Sequence, residues 1–173
     1  MKNKTKFSIV LIFGLLSSTF IAGYFSPANS HTNGAPAGYA GDIASGKQTC
    51  RACHPGPPPI VLPGLIHSTI PNEGYTPGTT YTFTASVVGH SSTIFGFEVT
   101  SQDTTGKFLG TMVSNDSTTA LVVTSLGSSD NLKYITHTSY SNTVSNDYQT
   151  WVFNWVAPPV GSGNVVFYGA FMI

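Results

Sequence analysis

The feature that most restricts the fold of this chain is an alternation of side chains at period two, repeated along its second half. From Thr79 to Val88, Tyr81, Phe83, Ala85 and Val87 fall on one side while Thr82, Thr84, Ser86 and Val88 fall on the other. A strand that buries one face and wets the other reads this way. The pattern returns in Phe95, Phe97 and Val99, in Leu121 and Val123, in Trp151, Phe153 and Trp155 opposite Val152, Asn154 and Val156, and over residues 165–171. Turn-forming sequences separate the runs: Pro77-Gly78, Thr105-Gly106, Ser128-Ser129-Asp130-Asn131, and Pro158-Pro159 with Gly161-Ser162-Gly163. About seven short strands at this spacing predict an all-β, antiparallel, immunoglobulin-like sandwich. Only 8% of the 173 residues are charged, which suits a β-rich exported module better than a helical cytosolic enzyme. The length supports one core of ordinary size.

The N-terminus has the layout of a secretory signal: Lys2, Lys4 and Lys6 precede an apolar run over 7–21, and Ala28-Asn29-Ser30 is a small-x-small cleavage site. Residues 1–30 are therefore expected to be removed, leaving His31 first. An uncleaved anchor is the alternative, but Ser17, Ser18 and Thr19 interrupt a run already shorter than the ~20 residues a span needs. No Cys lies near the cleavage site to take a lipoprotein-type anchor. The mature chain is expected in the periplasm or at the cell surface, without a membrane span. Its four basic residues oppose seven acidic ones, a net charge of −3. That balance excludes nucleic acid as a partner and offers no basic membrane-binding face; a positively charged partner protein is favoured.

Residues 31–63 form an irregular Gly/Pro-rich segment with no helical or strand period, and Pro55-Gly56-Pro57-Pro58-Pro59, followed by Pro63, predicts a stiff extended arm. Just before the arm stands Cys50-Arg51-Ala52-Cys53-His54. C-x-x-C-H is the attachment pattern of haem c: two thiols add to the vinyl groups and the adjacent imidazole binds iron. The expectation is one covalent haem on Cys50 and Cys53, with His54 as axial iron ligand. His137 or His67 is the candidate for the second axial position, with His31, His90, Met112 and Met172 also available by residue type. The competing readings are a structural Cys50–Cys53 disulfide without haem, a thiol-disulfide site, which ordinarily wants a helix that Pro55 to Pro59 forbid, and a zinc site, which lacks a second Cys/His pair.

Taken in order, the C-x-x-C-H pentapeptide, Tyr75-Thr76-Pro77-Gly78-Thr79-Thr80-Tyr81, Phe95-Gly96-Phe97-Glu98-Val99-Thr100, Tyr134-Ile135-Thr136-His137-Thr138 and the closing Trp151-Val152-Phe153-Asn154-Trp155-Val156-Ala157-Pro158 resemble bacterial surface proteins with the choice-of-anchor V, Reeler-like domain. The resemblance runs from about Gly34 to Ile173. It implies a Reeler-like β-sandwich over residues 64–173, exported and often displayed through a C-terminal sorting segment, with no enzymatic activity. It also implies that His137 belongs to a His-Thr pair found in Reeler domains without haem. Here Pro55, Gly56 and Pro57 replace a Gly-rich run and the sorting segment is missing, so residue 173 either ends an edge strand or interrupts a longer chain.

Two functions follow. The first is an exported monohaem, c-type cytochrome-like module that transfers electrons to a redox partner protein at the envelope. The alternative is a surface adhesion or partner-binding sandwich with a structural Cys50–Cys53 pair and no haem. Neither is an enzyme: no G-x-S-x-G or comparable constellation is present, and a small peroxidase would need a distal acid-base group that nothing marks.

Overall fold

The computed structural model describes residues 31–89, 92–122, 133–143 and 147–173. The expected signal segment over 1–30, His90, Val123 and the expected turn over 128–131 lie outside the described residues.

Among the described residues, eight strands follow a short 3₁₀ turn at Cys50–Ala52. The first sheet has the order β1 (Ile66–Ser68), β2 (Thr80–Val88), β7 (Tyr148–Val156), β4 (Thr111–Ser114); the second has β5 (Thr119–Val122), β6 (Tyr134–His137), β3 (Gly96–Gln102), β8 (Val166–Met172). All neighbours are antiparallel. This is the all-β antiparallel sandwich that the alternation predicts. β1 and β4, of three and four residues, carry no apolar alternation in the sequence.

β2 buries Tyr81, Phe83, Ala85 and Val87, and β7 buries Trp151, Phe153 and Trp155. Residues of like parity are in register across the pair, Phe83 opposite Phe153 and Tyr81 opposite Trp155, so both apolar rows enter the same interior. Phe83 stacks on Phe153 at 5.6 Å between ring centres, Phe97 of β3 stacks on Trp151 at 4.5 Å, and Phe167 of β8 meets Phe83 at 4.4 Å. The two indoles keep their N–H groups satisfied in the dry core: Trp151 Nε1 donates to Ser141 Oγ and Trp155 Nε1 to Ser101 Oγ, each at 3.0 Å. Trp155 also requires a glycine beside it, since a Cβ on Gly110 (φ +73°) would overlap the indole.

The second sheet departs from the half-wet pattern. Every residue of β3 is buried, because residues 31–54 lie as a strap across its outer face. Backbone bonds tie the strap to itself, Gly41 N–H to Gln48 O at 2.7 Å and Lys47 N–H to Asp42 O at 2.8 Å, and Ala40 bridges Thr49.

Candidate functional site

The strap is held to the sheet by a polar layer. Asp42, fully buried, accepts from Gln102 Nε2 at 2.5 Å, from Tyr134 Oη at 3.0 Å and from Ser45 through both N–H (3.1 Å) and Oγ (2.7 Å). Gln102 completes the clasp by accepting Ala44 N–H at 3.3 Å. Glu98, also fully buried, accepts Tyr39 N–H on Oε2 at 2.5 Å while its Oε1 has no partner. Burial, opposed by the Tyr39 bond and reinforced by the charge of Asp42, pushes the Glu98 carboxyl up to about 8. Burial and Asp42 likewise raise the Tyr134 phenol above its ordinary range. Nothing in the alternation distinguished Glu98 from a solvated residue of β3; its one signal was a carboxyl set between Phe97 and Val99 in a chain poor in charge.

At the end of the strap, Cys50–Ala52 forms a tight turn in which Cys50 O accepts the N–H groups of Cys53 (3.2 Å) and His54 (3.0 Å). The arm then leaves, fixed at its start by Arg51 Nε donating to Gly56 O at 3.2 Å. The turn sits over β8 and closes a mostly apolar cavity of about 40 Å³ lined by His31, Cys50, Cys53, His54, His137 and Met172, among others. Burial, with smaller contributions from Glu98 and Cys53, pushes the Cys50 thiol up to about 11. Both cysteines are free and half-buried.

This geometry corrects the expectation of an electron-transferring haem protein. Among the described residues, no group of three or more His, Cys, Asp or Glu side chains is placed to hold a metal ion. His137 is committed on both ring nitrogens: Nδ1 accepts Phe97 N–H at 3.2 Å and Nε2 donates to His31 O at 3.2 Å. Burial lowers its pKa, consistent with a neutral, hydrogen-bonded structural imidazole. His67 lies on the edge strand β1, exposed, and does not line the cavity; Met112 is buried between the sheets. The cavity itself has room for about three waters. Cys50, Cys53 and His54 line one cavity, but among the described residues they do not form a group placed to hold a metal ion.

A second feature shares that end of the sandwich. Leu65 O accepts Ser86 N–H at 2.9 Å, so the arm joins the first sheet near the last residues of β2. There Val88 stands opposite Tyr148, and Ile94 bridges Thr143. Val88, Ile94, Tyr140 and Tyr148 are all exposed, as are Ile60, Val61 and Leu62 on the arm, with Val61 at 97%. Of the exposed large apolar residues described, only Val152 and Val160 lie away from this end or from the neighbouring Ile173.

No family model and no curated protein matches this chain. Among solved structures it is similar to the reeler domain of human F-spondin. One crystal structure of that domain (fragment 2) aligns over 71% of this chain and 84% of its own at 20% identity, with a TM-score of 0.46. Another (fragment 1) aligns over 61% and 74% at 22% identity and 0.40, and a structure of the Reelin-N domain of F-spondin over 61% and 70% at 22% and 0.40. These are likenesses of fold.

Proposed function

We propose that this chain is a non-haem adhesion or partner-binding domain that works outside the cytoplasm, and that its apolar end, with the arm, is the binding surface. The observation that carries this reading is the gathering of exposed Ile60, Val61, Leu62, Val88, Ile94, Tyr140 and Tyr148 toward one end of the sandwich, since exposed apolar residues that gather, unlike those scattered singly, mark an interaction site. The occupant fitted by such a surface is an apolar segment of a partner protein, with the strap and the Cys50–Cys53 turn bracing the arm behind it. Export rests on the signal-like N-terminus; among the described residues no helix is long and apolar enough to cross a membrane. The resemblance to choice-of-anchor V proteins agrees with display at the cell surface.

The test is adhesion of beads coated with the mature chain to cells of the producing organism, compared with Val61→Asp/Ile94→Asp. Adhesion by the parent and about tenfold fewer attached beads with the variant, at an unchanged melting temperature, is the expected result. Equal adhesion by both would overturn the surface assignment. A c-type pyridine haemochrome band in the purified parent would overturn the non-haem reading.

A further inference from the structure

Going beyond the adhesive reading, we propose that two copies of this chain pair through β8, edge to edge and antiparallel, so that the second sheets of the two molecules join into one. The edge is open. β8 ends the second sheet and pairs only with β3, and among the described residues no other backbone group bonds to Val166–Met172. Gly169, at the middle of the strand, is exposed, and a glycine has little but backbone to expose. The space a side chain would take there is filled by Ile66 of β1, whose Cδ1 lies 2.7 Å from where a Cβ would stand. The core is open at the same place. Phe167 and Phe171 point inward, against Phe83 at 4.4 Å and Phe97 at 6.3 Å, yet both stay partly exposed. On the opposite side of the sandwich β4 and β5 are joined, with Ser114 Oγ donating to Thr119 O at 2.7 Å.

The chemistry of the edge selects a second copy as its occupant. Edge strands are ordinarily protected from pairing by short length, charge, proline or a bulge. β1, β4 and β5 have three, four and four residues. β8 has seven, none charged and none proline, in unbroken register with β3 from Gly96 opposite Met172 to Gln102 opposite Val166. A two-fold pair places each side chain near its own copy, so a strand without charge meets no repulsion from itself. Centred on Gly169, the pairing sets Tyr168 opposite Ala170 of the second copy and covers Phe167 with Phe171, while about six to eight new hydrogen bonds satisfy both edges. The two-fold axis uses both edges at once, so assembly stops at the dimer. It also turns the Met172 ends of the two molecules in opposite directions. Ile94 and Tyr148 lie toward those ends, so on the adhesive reading the dimer is a two-headed bridge; the pairing itself does not rest on that reading.

The test is sedimentation equilibrium of the mature chain from about 1 to 500 μM, over which the parent should pass from monomer to dimer with nothing larger. Tyr168→Lys and Tyr168→Glu each set like charges on diagonal positions of the joined sheet, about 7–8 Å apart. Each should weaken the dimer about tenfold at an unchanged melting temperature. An equimolar mixture of the two should dimerise at least as well as the parent, which variants that merely misfold could not do. In the parent, amide hydrogen exchange should slow over Val166–Met172 as concentration rises. A parent that stays monomeric throughout, Tyr168 variants that dimerise equally with it, a mixture no better than its components, or protection that rises elsewhere instead overturns the proposal. The Val61→Asp/Ile94→Asp variant, which removes adhesion, should dimerise as the parent does, so the two readings fail separately; loss of the dimer there would move the contact to the apolar end and overturn pairing through β8.

Discussion

The interior between the two sheets and the outer face of the second sheet are buried equally and by opposite chemistry. Trp151, Phe153 and Trp155 in the first and Asp42, Glu98 and Gln102 in the second are all at 0% exposure. The interior is held by area: each large ring removed from water contributes on the order of 2–3 kcal/mol, with little demand on direction. The outer layer is held by a closed set of donors and acceptors, where each net contribution is about 1 kcal/mol but each broken partnership strands a buried polar group. One region tolerates imprecision; the other depends on every member.

The largest effect should come from the interior. Phe153, packed on Phe83 at 5.6 Å and near Phe97 at 6.2 Å, should lose about 3–5 kcal/mol of stability as Phe153→Ala in urea denaturation. A smaller loss than that of any polar-layer variant would invert the comparison. Next comes Asp42→Ala, which strands Gln102 Nε2, Tyr134 Oη and two donors of Ser45. A loss of about 2–3 kcal/mol is expected, with faster tryptic cleavage after Lys47 as the local sign that the strap has loosened. A loss below about 0.5 kcal/mol would mean that water replaces the carboxylate and that the strap is only laid on the sheet.

The same contrast explains what could be read from the sequence. The interior writes itself locally: the period-two rows of β2 and β7 are each visible within nine residues, and the pairing in register only joins what each strand already shows. The polar layer joins residues 60 and 92 positions apart, Gln102 and Tyr134 to Asp42, and no local pattern marks such a partnership. A polar residue alternating with Phe97 and Val99 has the look of a wet face, and only the strap makes Glu98 dry. The C-x-x-C-H spacing puts Cys50, Cys53 and His54 on one turn beside one cavity, but covalent spacing says nothing of the residues that other segments bring around them. His137, named for iron, instead spends both nitrogens on Phe97 N–H and His31 O, a use that depends on a strap 106 residues away in sequence.

Proton linkage sharpens the comparison further, because the polar layer holds a carboxyl whose pKa burial displaces. Glu98 holds its proton in the folded chain up to about pH 8 against an ordinary value of 4.5. Between those values the unfolded chain has released a proton that the folded chain keeps, so stability is fully present below about pH 4.5, falls as pH rises to about 8, and levels off above. The slope cannot exceed about 1.4 kcal/mol per pH unit for one group. Urea midpoints measured from pH 4 to 9 should show this decline in the parent and lose it in Glu98→Gln, where the lowered pKa of His137 leaves only a rise with pH. Parallel profiles would place the carboxyl in contact with water and remove the polar layer's distinction.

The smallest effect is expected where neither kind of burial operates. Thr82 Oγ1 donates to Asn154 Oδ1 at 3.1 Å across β2 and β7, on the wet face of the same strands whose other face carries Phe83 and Phe153. Water competes for both groups, and a β-branched valine keeps the strand preference of threonine. Thr82→Val should therefore change stability by no more than about 0.5 kcal/mol in the same urea assay. The two side chains are one residue along the strand from Phe83 and Phe153, so a loss of several kcal/mol would show that the wet face is coupled to the interior through the backbone. The small value expected instead means that position relative to the two buried layers, and not the presence of a hydrogen bond, decides what a residue of this sandwich contributes.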